Sequence, residues 1–155
     1  MREILFKAKR KDNGKWVEGH YYKMSETTYC FKEDYERNPV QGHHYILQER
    51  MTDWGLPNQV VQIEIDPETL CQFTGLCDKN GNKIWENDIL MAHLDDDYPE
   101  DVTYETVEWN FAGWVTHETG STDREYLDEF NLEYFEVVGN IFDQPELLQE
   151  GVRND

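Results

Sequence analysis

Apolar and polar positions alternate with a period of two through much of the chain, the pattern of strands with one dry and one wet face. Ile4, Phe6 and Ala8 alternate with Leu5, Lys7 and Lys9, which predicts a strand over residues 3–9. Asp12-Asn13-Gly14 follows, and Asn and Gly tolerate the positive φ of a tight hairpin turn. Trp16, Glu18, His20, Tyr22 and Met24 then alternate with Val17, Gly19, Tyr21 and Lys23, so residues 16–24 form the antiparallel return strand. The same reading places further strands at 27–31, 44–47, 60–65, 89–94, 102–111, 114–117 and 135–142. In the strand over 102–111, Val107, Trp109 and Phe111 share one face, and Ala112-Gly113 turns the chain. Residues 32–43, 51–58 and 95–101 are polar or interrupted by Pro and Gly and read as loops.

Helix signals are short. Asp66-Pro67-Glu68-Thr69-Leu70 offers an Asp N-cap with Pro at the first helical position, and the segment closes at Gly75 after at most two turns. Thr122-Asp123-Arg124-Glu125 matches a capping box ahead of Tyr126, Leu127 and Phe130 and predicts a short helix. Asp143-Gln144-Pro145-Glu146 starts a final helical turn carrying Leu147 and Leu148. Many short strands separated by Gly/Asn turns predict a mainly β protein with a few short helices. The expected layout is an antiparallel hairpin or sheet over residues 1–66 and a small SH3-like barrel or sandwich over 67–150. One integrated domain would fit the same pattern.

Charge changes this picture along the chain. Residues 1–94 hold 12 Lys+Arg against 15 Asp+Glu, whereas 95–155 hold 2 against 18. A surface like the second repels phosphate, so direct nucleic-acid binding there is disfavoured. The basic cluster Lys7, Lys9, Arg10, Lys11 and Lys15 is the counterexample, and the plain reading is a solvated strand face and turn. No stretch approaches the ~18 apolar residues of a membrane span, and charge interrupts the first residues too soon for a signal-peptide core. The expected location is therefore the cytoplasm. Cys30, Cys71 and Cys77 are odd in number and contain no C-x-x-C pair, so free thiols are expected.

The order of residues carries a resemblance as well. Met1-Arg2-Glu3-Ile4 with Phe6, Ala8, Trp16, Val17 and Gly19 opens the chain as the YopX-like family of phage and prophage proteins opens. The central block is more specific. Asp66-Pro67-Glu68-Thr69-Leu70, Gln72-Phe73-Thr74-Gly75-Leu76, Asp78-Lys79-Asn80-Gly81, Lys83-Ile84 and Glu86-Asn87-Asp88-Ile89 resemble that family's signature closely. The close, Glu136-Val137-Val138-Gly139-Asn140-Ile141-Phe142 with Pro145-Glu146-Leu147-Leu148, is similar too. One departure is Asn87, where the family usually has Gly; Asn is the non-Gly residue most tolerant of left-handed backbone. Residues 32–58 and 95–101 look like insertions. The resemblance implies a phage-associated accessory protein and brings no catalytic residues with it. At the level of pattern, Glu86 to Leu90 with the strands through Trp109 and Trp114 resembles the start of an SH3-like barrel.

Site chemistry is sparse. No G-x-S-x-G elbow and no Gly-rich phosphate loop is present. His43 and His44 are adjacent and point to opposite faces of a strand, and Cys71-x5-Cys77 is not a common zinc spacing. Asp95-Asp96-Asp97 lacks the alternating carboxylates and Gly of a calcium loop. No enzyme activity, cofactor or metal is therefore expected. The aromatic excess points elsewhere: residues left over from the core would mark an interface, with Trp85, Trp109, Trp114, Asp95, Asp96 and Asp97 as candidates. The leading expectation is a non-catalytic protein that binds a protein partner or itself as a homo-oligomer. Alternatives are an acidic nucleic-acid mimic that occupies a basic host protein, and a nucleic-acid binder acting through Lys7–Lys15.

Overall fold

The computed structural model describes residues 2–26, 30–37, 39, 41–93 and 97–149. It is mainly β and antiparallel throughout, and its residue contacts divide into two units, 4–71 and 1–3 with 72–155. The division falls between Cys71 and Gln72.

The N-terminal unit is a four-stranded meander of β1 (Phe6–Lys9), β2 (Trp16–Ser25), β3 (Gly42–Arg50) and β4 (Gln59–Glu64). Its first turn uses the predicted chemistry. Gly14 takes φ 70°, its N–H donates to the Arg10 carbonyl at 2.9 Å, and Asn13 Oδ1 accepts from the Lys15 N–H at 2.9 Å. The end of β4 then returns to the end of β1: Arg10 pairs with Ile65, Asp66 N–H donates to the Lys9 carbonyl at 2.9 Å, and Lys11 N–H donates to the Glu64 carbonyl at 3.0 Å. Alternation sorts the faces. Ala8, Ile46 and Ile65 are buried, with Phe6, Val17, Tyr21 and Leu70 packed around them. Asp66 caps a single 3-10 turn, Pro67–Thr69, accepting from Glu68 N–H at 3.0 Å. The predicted helix ends there because the chain immediately becomes strand, Cys71 and Phe73 burying alternate side chains.

One local expectation fails here. Residues 32–37, predicted as loop, form the helix α1 (Lys32–Arg37), which buries nothing. It is laced instead by the exposed ion pairs Lys32–Glu36 and Asp34–Arg37, at helical spacing. The strand expected over 27–31 lies mostly outside the described residues, and Cys30 and Phe31 lead directly into α1.

The C-terminal unit contains the hairpin β5 (Cys71–Cys77, counted from Gln72) and β6 (Lys83–Trp85). With it is a five-stranded sheet of β7 (Asp88–His93), β8 (Val102–Asn110), β9 (Gly113–Glu118), β10 (Glu125–Tyr126) and β11 (Phe135–Asn140). The sheet order is β10-β9-β8-β7-β11. The barrel or sandwich closure expected for this half is not among its ladders in the described residues. Ile84, Leu90, Ala92, Val107, Trp114 and Phe135 form its core, with Leu127, Leu132 and Val137 against them.

Two turns fix this unit. Asp78 is buried, and its carboxylate accepts from the N–H groups of Asn80 (2.9 Å), Asn82 (2.8 Å) and Val137 (2.9 Å). One side chain thus closes the β5–β6 turn and ties it to β11. Burial by itself would raise the Asp78 pKa, but the donors from Val137, Asn82 and Asn80 outweigh it and hold the carboxyl below the usual range. At the second turn Asn87 takes φ 69°, the left-handed geometry that Asn tolerates better than other non-Gly side chains. Asn87 N–H donates to the Val107 carbonyl at 2.8 Å, and its carbonyl accepts from Ile141 N–H at 3.0 Å.

The capping-box helix over 122–130 does not form. Glu125 and Tyr126 pair with Thr116 and Val115 as edge strand β10, Leu127 N–H donates to the Trp114 carbonyl at 2.9 Å, and Arg124 reaches Glu108. Ladder bonds to an existing sheet outweigh a local cap worth about 1 kcal/mol. The helical signal reappears later as one 3-10 turn, Asn131–Glu133, opened by Asp128 Oδ1 accepting from Asn131 N–H at 2.9 Å.

Candidate interaction surface

The aromatic residues singled out in the sequence fall into different environments. Trp85 is buried, its ring 5.5 Å from that of Phe73. Trp114 is also buried, and its indole N–H has no partner among the described residues. Trp109 is the direct cross-strand partner of Trp114; the rings meet edge to face at 5.1 Å and 71°, and Trp109 leaves half of itself in solvent. Asp95 and Asp96 lie outside the described residues. Asp97 is exposed in the turn ahead of β8.

The neighbouring residue in the hairpin was misplaced by alternation. Because Trp109 pairs with Trp114 and Asn110 with Gly113, the turn consists of Phe111 and Ala112, not Ala112 and Gly113. Phe111 therefore leaves the strand. It sits at the first central position of a two-residue turn with φ 46° and exposes 98% of its surface. Such turns demand positive φ there and normally recruit Gly, Asn or Asp. A bulky residue in this region costs about 1–3 kcal/mol, and strain of this kind clusters at functional sites. Across from the tip, the Tyr126 ring lies over Gly113 so closely that a Cβ would sit 3.1 Å from it. Tyr126, Phe130 and Tyr134 are exposed as well. The signal that could have located Phe111 was the cross-strand match of the two tryptophans, which sets the turn one residue earlier.

The electrostatic setting is strongly negative. Residues 1–3 and 72–155 carry 5 Lys+Arg against 22 Asp+Glu, a net of −17. Arg124 is tied to Glu108, whose carboxylate also lies 3.4 Å from His117 Nδ1. On β8, burial pushes the half-buried Glu105 carboxyl pKa up; Glu125 and Glu118 add to the rise, and the hydrogen bond from Thr116 at 3.2 Å opposes it.

The basic cluster of the N-terminal unit is largely engaged. Lys7 and Lys9 place their ammonium groups 4.7 and 5.4 Å from the Trp16 ring centre. Arg10 pairs with Asp12 at 2.8 Å, and Lys11 with Glu64 at 3.3 Å. No helix among the described residues is long and apolar enough to cross a membrane.

These features define a mainly β antiparallel protein with an exposed aromatic hairpin tip. A family model described as YopX protein matches residues 5–149, and the chain belongs to the YopX family. Among solved structures it is similar to the crystal structure of protein EF1440 from Enterococcus faecalis. That match has a TM-score of 0.55 and 19% identity, and covers 96% of this chain and 100% of the other. The likeness is one of fold. No curated protein matches.

Proposed function

We propose that this chain is a non-catalytic binding protein that anchors a protein partner with the β8–β9 hairpin tip. The observation that carries this reading is Phe111, a large apolar side chain kept fully exposed on a backbone that favours glycine. Trp109 stands beside it, braced by Trp114 and so already partly ordered before binding. Rigid, pre-placed aromatics are the residues that carry most binding energy in interfaces. With a unit charge of −17 around it, the fitting partner offers an apolar pocket rimmed by Lys and Arg.

Phe111→Gly tests this cleanly, because it removes the anchor and relieves the strained backbone together. The variant is expected to unfold at the same or higher denaturant concentration, by about 1 kcal/mol. Capture of host proteins on the immobilised chain is then compared for wild type, Phe111→Gly and Trp109→Ala. A protein retained by wild type and lost from both variants supports the reading. Capture unaffected by either variant, or turnover of a substrate by the wild-type chain, sinks it.

A further inference from the structure

We infer that β4 is an interface for a second copy of this chain, two β4 strands pairing antiparallel about Val61. This site is separate from the hairpin tip and does not depend on it.

The argument begins with where the main-chain groups of β4 point. In an antiparallel ladder, alternate residues turn their N–H and C=O toward one neighbour. Ile65 N–H donates to the His44 carbonyl at 2.9 Å, so Ile63, Val61 and Gln59 also face β3, while Val60, Gln62 and Glu64 face away. Lys11 N–H accordingly reaches the Glu64 carbonyl from that outer side at 3.0 Å. Val60 and Gln62 have no main-chain partner there among the described residues. Lys11 covers the Glu64 end of this edge, and a cleft of about 330 Å³ lined by Arg10, Lys11, Asp12, Gln62, Ile63 and Glu64 opens beside it, next to the outward groups of Gln62 and Val60.

Edges of this kind are usually blunted by Lys, Pro or a bulge. The segment Gln59-Val60-Val61-Gln62-Ile63-Glu64 contains no Lys and no Pro, its register against β3 is unbroken, and Val60 is 71% exposed. A two-fold axis at Val61 sets Val61 against itself and Val60 against Gln62 of the second copy. The outward groups of those two residues then exchange hydrogen bonds in both directions, and Gln59 meets Ile63. No charge opposes a like charge in this register. The net charge also selects this edge. Residues 4–71 carry 9 Lys+Arg against 11 Asp+Glu, a net of −2, whereas the open edges β10 and β11 belong to the unit at −17. Two copies meet through β4 with the least repulsion.

The test is sedimentation of the full chain across a concentration series, with a species of twice 18.5 kDa expected. Gln62→Pro deletes the outward N–H and leaves the β3 ladder intact. Losing two hydrogen bonds per dimer should weaken association about thirtyfold, with circular dichroism unchanged. Val61→Cys should form a disulfide-linked dimer on mild oxidation, since unbonded cross-strand pairs lie about 4.5 Å apart. Wild type, whose Cys30 and Cys77 are exposed, is the control for other thiol links. The inference is overturned if the chain stays monomeric throughout, if the dimer survives Gln62→Pro without crosslinking through Val61→Cys, or if a monomeric chain pairs β4 only with a foreign extended peptide.

Discussion

The two units are built by one method and spend it differently. Residues 4–71 bury a small core, Ala8, Ile46 and Ile65, under a meander whose last strand returns to its first, and their charges nearly balance. The C-terminal unit buries two tryptophans, runs an aromatic hairpin into solvent and carries a net charge of −17. Self-repulsion of that size destabilises a compact state, so this unit depends on individual buried groups that hold its turns and core. The contrast teaches that stability and exposure are negotiated locally. In the C-terminal unit one member of a tryptophan pair is core and the other is surface.

The largest expected effect separates that pair. Trp114→Ala should cost about 3–5 kcal/mol in denaturant unfolding followed by circular dichroism, because it empties a buried site. Trp109→Ala, half solvated, should cost about 1 kcal/mol. Equal losses would mean that the two rings share one environment. Next comes Asp78→Ala, which leaves the N–H groups of Asn80, Asn82 and Val137 without their acceptor and should cost about 3 kcal/mol. Its pH dependence has a definite sign. The folded carboxyl pKa is lowered, so its stabilisation is complete above the unfolded value near 3.9 and is lost as pH falls through the folded value. Wild type should therefore lose stability in that acid window more steeply than Asp78→Ala. If the two titrate in parallel, Asp78 is not the hub described.

Glu105 provides the smallest and opposite effect. Its raised pKa means that the folded state holds the proton more tightly than the unfolded chain, so ionisation at neutral pH is destabilising and acid relieves it. Glu105→Gln keeps an acceptor for Thr116 and removes first the cost of half-burying a charge and then the repulsion from Glu125 and Glu118. It should gain about 0.5 kcal/mol at pH 7, shrinking toward zero below the carboxyl range. A loss at pH 7 would show that Glu105 is held by contacts rather than strained by charge.

Much of the architecture was legible in the residues. Period-two alternation located most strands, and Asn-Gly turn chemistry located the bends at Gly14 and Gly81, which both take positive φ. Asn87 was recognisable as a left-handed position because Asn tolerates that backbone better than other non-Gly side chains. Less could be read where two weak signals competed. The capping box at Thr122 lost to a sheet edge, and α1 formed from a polar stretch that buries nothing. At the candidate surface the aromatic excess was legible, but not which of Trp85, Trp109 and Trp114 stays in solvent; two of the three are buried. Phe111 was not legible, because alternation alone cannot say which strand residue is the last before a turn.

The chain by itself determined most of its strands, the turns at Gly14 and Gly81, its acidic C-terminal half and its family, since all of these follow from local composition and order. Tertiary structure decided which tryptophans are buried, which residue occupies the strained hairpin position, and which main-chain groups of β4 turn away from β3. The physical reason is that burial, strain and unpaired backbone are properties of pairings between distant segments. Strand periodicity specifies the faces of each strand and leaves its partner unnamed.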